Sequence, residues 1–284
     1  MQTIEHTSRG ATRPPRRARR HSPARLAIAI ALCTAALLAP VTVPRADAAP
    51  VRMRFPEGPA HGFVSVTDVA TGKKVASGEL TQWLEKRAIA SRLVLRFDDG
   101  SLHDETVRFA QRPVFRLLSY EQKQSGPAFP HESSVKFDRS GSYEARQRAP
   151  GEDEKTASGT FDVPDDVCNG LTSVLLKNLP RGASGSVHMV TFRPEPLVLD
   201  VALTAEGKDA YWVGDVSTDA TRWLVKPTVP GVKGLLASVT GQQPPEIRIW
   251  IAPEPSPVLV RFEGALFVDG PVWRIELAAP RWKK

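Results

Sequence analysis

Acid–base or metal chemistry would most readily come from the four histidines beyond residue 48: His61, His103, His131 and His188. The run His103-Asp104-Glu105 has the composition of a metal-ligand cluster. On a strand, however, neighbouring side chains point to opposite faces, so the three cannot converge without a bulge. Charged residues beside a hairpin turn are also ordinary. His61-Gly62 follows Pro59 and His131-Glu132 follows Pro130, which puts both histidines in loops. Two such loops could together supply a general acid and base for hydrolysis, but nothing in their spacing demands it. His188 alternates with Val190 and Phe192 and reads as a structural residue on a strand.

Nucleophile and phosphate signatures are incomplete. Gly182-Ala183-Ser184-Gly185-Ser186 lacks the last glycine of a G-x-S-x-G elbow, and no strand-turn-helix pattern surrounds it. Gly72-Lys73-Lys74 lacks the first glycine and the hydroxyl residue of a phosphate loop, and Asp98-Asp99-Gly100 lacks the remainder of a calcium loop. Cys168, near the start of a predicted helix, would have an acidified thiol if exposed there and acts as a small apolar residue if buried. The sequence therefore predicts no catalytic residue, no metal ligand and no cofactor.

The elements that must position these groups are strands. From Val51 onward the dominant period is two, with short alternating runs broken by turn residues. Leu93, Leu95 and Phe97 share a face, Asp98-Asp99-Gly100-Ser101 turns the chain, and Val107 and Phe109 follow on the partner strand. The run Val114 to Tyr120 and the turn Asp138-Arg139-Ser140-Gly141 repeat this grammar. Leu197, Leu199, Val201 and Leu203 precede an expected turn at Ala205-Glu206-Gly207-Lys208, after which Tyr211 and Val213 start another strand. Ile247, Ile249 and Ile251 alternate with Arg248 and Trp250. Val258, Val260, Phe262 and then Trp273, Ile275, Leu277 complete roughly a dozen strands. Ala149 to Ala157 is polar and reads as a solvated loop.

Two stretches are helical instead. Asp165 or Asp166 can cap a helix carrying Leu171, Val174, Leu175 and Leu179 on one face, with Gly170 inside it and Pro180 as its stop. A second follows Pro230, with Val232, Leu235, Leu236 and Val239 at helical spacing and Gly241 as its end. Burying four such side chains contributes about 6–12 kcal/mol gross, so each helix is expected to lie on the sheet. The fold class expected is mainly β: a large antiparallel meander forming an open or half-closed barrel with two short helices packed on it.

Residues 1–48 have the order of a secretory signal: a basic stretch from Arg13 to Arg25, an apolar run from Leu26 to Leu38, and Ala46-Asp47-Ala48 as the cleavage site. That run is too short to span a membrane, and no transmembrane segment is expected after cleavage. Twin arginines at Arg16-Arg17 and Arg19-Arg20 leave a folded-export route conceivable, although the residues that follow favour the ordinary one. Leu32 before Cys33 argues against a lipidation site. The segment holds eight of the 38 basic and two of the 31 acidic residues, leaving 30 and 29. The net charge of +7 thus falls to +1 in the mature chain, which removes the argument for a nucleic-acid partner. Cys168 then has no disulfide partner, so the core must carry stability. Residues 49–284 are expected to form a single β-rich domain, exported to the periplasm or the extracellular space.

Apolar residues offer the remaining functional signal. Trp250 lies on the strand face opposite Ile247, Ile249 and Ile251, and Trp212 and Trp223 fall in consecutive strands. Either these aromatics fill a core, or one sheet face packs under helices while another lines a cavity.

The passage Phe161-Asp162-Val163-Pro164-Asp165-Asp166, running into Leu171-Thr172-Ser173-Val174-Leu175-Leu176, resembles the strand-Pro-helix passage of LolA/LolB-type lipoprotein carriers and uncharacterised periplasmic relatives. The ending Ile247-Arg248-Ile249-Trp250-Ile251 through Trp273-Arg274-Ile275-Glu276-Leu277 is similar to theirs too. That resemblance implies a curved, open barrel whose concave face holds acyl chains beneath helices, with a lipid or lipoprotein as partner. The candidate lining residues are Leu171, Leu175, Trp212, Trp223, Leu235, Trp250 and Phe262. The rival expectations are a filled-core module that recruits an envelope protein through an exposed edge strand, and a hydrolase using His61 and His131.

Overall fold

Alternation builds strands throughout the chain in a computed structural model that describes residues 50–278 and 280–282, apart from 181, 214, 232–243, 254 and 255. All described residues belong to one compact unit, Ala46–Lys284. The strands are β1 (Ala60–Asp68), β2 (Lys74–Glu85), β3 (Ala88–Phe97), β4 (Leu102–Ala110), β5 (Arg116–Ser125), β6 (Glu132–Asp138), β7 (Ser142–Arg148) and β8 (Lys155–Thr160). Helix α1 (Thr172–Asn178) follows, and then β9 (Ser184–Phe192), β10 (Pro196–Val213), β11 (Val216–Thr228), β12 (Ile247–Ala252), β13 (Val258–Gly264), β14 (Trp273–Leu277) and β15 (Pro280–Trp282). The second predicted helix, with Leu235, lies outside the described residues.

One antiparallel sheet takes in all fifteen strands. Strands β1 to β8 form one consecutive meander and β10 to β14 another, and β14 pairs with β1 to join them. The long β10 carries β11 along one side, while β9 and β15 pair with successive stretches of the other. Tight turns follow from the expected residues. Asp99 accepts the Ser101 N–H at 2.9 Å and Asp138 accepts the Ser140 N–H at 2.8 Å, the Asx-turn device. Gly141 is required at its turn: φ is 87°, and a Cβ there would fall 2.0 Å from the Phe161 carbonyl oxygen. The solvated loop is shorter than expected, because Lys155, Thr156 and Ala157 belong to β8.

The turn expected at Ala205–Lys208 does not form. β10 runs straight through it, with Ala205 opposite Trp223, Gly207 opposite Arg222, and Glu206 as the extra residue of a bulge. Inserting one residue inverts the side-chain phase of everything after it. Val201 and Leu203 therefore face the main core, whereas Tyr211 joins Trp250, Ala220, Ala252 and Val260 in a separate cluster.

The predicted helix is also corrected. It starts at Thr172 rather than after Asp166, and its N-cap position, Leu171, makes no side-chain capping bond. Gly170 sits before it at φ 65°, a left-handed residue that ends the turn rather than an interior helical one. The reason is a competing demand from β9, whose outer side would otherwise carry unpaired buried backbone groups. Residues 167–169 supply the partners: Val167 bridges His188 in parallel, Cys168 N–H donates to the His188 carbonyl at 2.8 Å, and Asn169 bonds Val190. Asp165 turns outward to Arg139 and Arg116.

The core has two principal parts. The larger gathers Phe109, Leu117, Leu171, Leu175, Val201, Leu203, Trp223 and Ile249 around α1. The smaller joins Val66, Leu95, Phe97, Phe129, Trp273 and Ile275, its rings meeting edge-on or tilted at 4.9–5.9 Å. Among the described residues the sheet is not closed by hydrogen bonds. Instead Phe192 at the end of β9 meets Phe137, Tyr143 and Phe161 at 5.7, 5.8 and 6.3 Å, and no strand ladder joins β9 to β6, β7 or β8 among the described residues.

Candidate ligand-binding site

Between the two core parts the sheet encloses a hollow of about 250 Å³. Its walls come from Val64, Leu80 and Leu93 on one meander and Ile249, Leu259, Phe262 and Ile275 on the other. Thr172 and Ser173 at the start of α1 cover it. A wider cleft of about 490 Å³ continues from it, the two sharing lining residues that include Tyr120, Gln122, Asn169, Met189, Ile247 and Leu266. His131, Arg146, Arg193 and Asp269 are among the polar residues that line the cleft. Its size lies within the range of small-molecule pockets, roughly 300–1,000 Å³.

A polar cluster on β4 and β5 interrupts the apolar wall. His103 and Glu105 are two residues apart and share a face, while Asp104 between them points outward to Arg92 at 2.6 Å. His103 is 1% exposed, and its Nδ1 lies 3.1 Å from Gln124 Nε2. The same nitrogen of Gln124 donates to the Leu266 carbonyl at 2.9 Å. A carbonyl only accepts, so the amide orientation is fixed, His103 Nδ1 is an acceptor, and the ring hydrogen resides on Nε2. Burial holds the imidazole pKa down to about 4, with the Asp104 charge opposing.

Glu105 ends a relay. Asn169 is anchored on the Val190 backbone and also bonds the Tyr120 hydroxyl, which donates to Glu105 Oε2 at 2.8 Å. Burial pushes the Glu105 carboxyl above its ordinary value, with the Tyr120 bond opposing, and burial beside Glu105 pushes the Tyr120 phenol well up. The hollow thus presents a neutral imidazole, a neutral phenol and one carboxyl group. His103, Glu105 and Tyr120 are the ionisable side chains that line it among the described residues.

The residues predicted to line a cavity separate. Phe262 lines the hollow. Leu171, Leu175 and Trp223 are packed inside the larger core. Trp250 belongs to the cluster beyond the bulge: its Nε1 donates to Asp209 Oδ2 at 2.6 Å, and Arg261 stacks 5.2 Å from its ring. Trp212 is half-buried on β10 opposite Ser217, near the hairpin end.

The histidines also part company. His61 is exposed beside Phe63, with Nε2 at 3.4 Å from Glu79, whereas His131 lines the cleft; no hydrogen bond joins them. His188 is held between Asp166 at 2.6 Å and Asp200 at 3.5 Å, a satisfied structural residue. Cys168 is fully buried, its thiol pushed up to about 12 by desolvation.

His103 and Glu105 as inward-facing residues were missed, although a signal exists. Stepping back by two from the apolar pair Phe109 and Val107 lands on Glu105 and then His103. Among the described residues no three His, Cys, Asp or Glu side chains are placed to hold a metal ion, and no helix is long and apolar enough to cross a membrane.

No protein-family model matches the sequence, and no curated protein matches it. Among solved structures the chain is similar to the crystal structure of a beta-barrel-like protein of domain of unknown function DUF1849 from Brucella abortus. The two share 10% identity over 82% of this chain and 100% of that one, with a TM-score of 0.39.

Proposed function

We propose that this chain is an exported envelope protein that binds an apolar ligand, a lipid or acyl chain, between its curved sheet and α1. The observation that carries this reading is the hollow lined by Leu93, Ile249, Leu259, Phe262 and Ile275, which continues into a wider cleft. A water-excluding wall of this kind supplies affinity through burial, and a few fixed polar groups set the ligand's orientation. The order of basic stretch, apolar run and Ala46-Asp47-Ala48 supports export to the periplasm or outside the cell. The architectural resemblance to LolA/LolB-type carriers points the same way.

Native mass spectrometry of residues 49–284, purified without detergent and then extracted with organic solvent, tests the proposal. A co-purifying apolar molecule supports it. A clean apo mass with no uptake of offered lipids or of an apolar dye overturns it. That outcome would favour a second reading, recruitment of an envelope protein along β8, which is nearly all exposed and whose outer edge pairs with no strand among the described residues.

A further inference from the structure

The inner end of the hollow has a chemical polarity of its own. Tyr120 is fully engaged, donating to Glu105 Oε2 and bonded by Asn169. Gln124 Nε2 is divided between His103 and Leu266. Glu105 Oε1 has no hydrogen-bond partner among the described residues and lies beside Gly170, 3.4 Å from where a Cβ on that glycine would be; the His103 ring, the Gln122 amide and the Ser173 hydroxyl line the same hollow without formal charge. No lysine or arginine lines the hollow among the described residues; Arg146 and Arg193 line the adjoining cleft instead. The floor therefore carries one acidic group, held in place by a three-residue relay to the Val190 backbone, and nothing that would neutralise an anion.

Resting on the reading of the hollow as an apolar-ligand site, we infer that its ligand is an amphiphile with a hydrogen-bond-donating head, an amine above all, seated on Glu105 Oε1. Gly170 leaves room for that head, because any side chain there would crowd Val107 and approach the carboxyl oxygen. The relay through Asn169 and Tyr120 fixes the carboxyl before the ligand arrives, which lowers the ordering cost of binding. Anionic heads meet a like-charged or desolvated carboxyl and are excluded from this end.

Dodecylamine, dodecanol and dodecanoate, competing with a fluorescent apolar dye on residues 49–284, test the inference. Dodecylamine is expected to bind about 10- to 100-fold more tightly than dodecanoate, the span a charge-assisted hydrogen bond provides. Glu105→Gln should abolish that preference, read as the ratio of the two amphiphiles' affinities within the same variant. Tyr120→Phe, which frees the carboxyl without removing it, should narrow the preference, so the inference remains testable if the Glu105 variant fails to fold. Equal binding of dodecanoate and dodecylamine, or a preference indifferent to both substitutions, overturns the head-group assignment while dye uptake upholds the apolar site. Failure of the dye itself to bind overturns both.

Discussion

Asn169 and Val190 hydrogen-bond each other twice: the side-chain Nδ2 donates to the Val190 carbonyl and the Val190 N–H donates to Oδ1, both at 2.8 Å. One amide side chain thus does the work of a neighbouring strand for β9 and, through Tyr120, also fixes Glu105. Asn169→Leu leaves a buried donor and a buried acceptor unsatisfied and is expected to cost about 2–4 kcal/mol. Urea denaturation followed by tryptophan fluorescence checks this; a loss below about 0.5 kcal/mol would show that other groups replace both bonds.

Gly170→Ala is expected to destabilise the protein, by about 1–3 kcal/mol. Helix propensity alone predicts a gain. The backbone at φ 65° disfavours any side chain, and the added Cβ would lie 3.0 Å from Val107 Cβ. The same denaturation series decides between the two signs.

Acid should weaken the fold through His103. Its pKa is about 4 when folded against 6.5 for the free side chain, so the unfolded chain binds the extra proton between those limits and stability falls as pH drops through that window. Between about pH 7.5 and pH 5 the native protein is expected to lose about 2 kcal/mol relative to His103→Gln. Glu105 acts with the opposite sign, because its raised pKa adds stability on acidification. Glu105→Gln should therefore steepen the acid loss. Urea midpoints measured across this range for the three proteins separate the two contributions.

Phe262→Ala and Trp250→Ala should differ in ligand uptake. Phe262 lines the hollow, whereas Trp250 packs beyond the bulge with Asp209 and Arg261. Loss of dye affinity on truncating Phe262, with binding retained on truncating Trp250 in a still-folded protein, is the expected result. Equal losses would place the dye elsewhere.

Strand identity was legible because alternation survives wherever one face is buried: Leu93, Leu95 and Phe97 on β3 and Val107 and Phe109 on β4 read correctly from the chain. The bulge at Glu206 was not, since Ala205-Glu206-Gly207-Lys208 has the composition of a turn and only pairing with Trp223 and Arg222 shows that the strand continues. That one residue decided the placement of Trp250's neighbours. The helix start was misread for a related reason. Asp166 is a good cap locally, but the long-range bond from its Oδ1 to His188 at 2.6 Å orients the carboxylate toward β9. The polar floor of the hollow was encoded in the period-two phase of His103 and Glu105, although their charge disguised them as surface residues.

The aromatic seam formed by Phe192 against Phe137, Tyr143 and Phe161 has a mechanical consequence. A ring of strands closed by ladder bonds has a fixed circumference, since any slip breaks several directional bonds together. Ring-on-ring contacts have no register and tolerate sliding at small cost. Across such a seam a small change in the girth of the wall leaves every ladder hydrogen bond of the sheet intact.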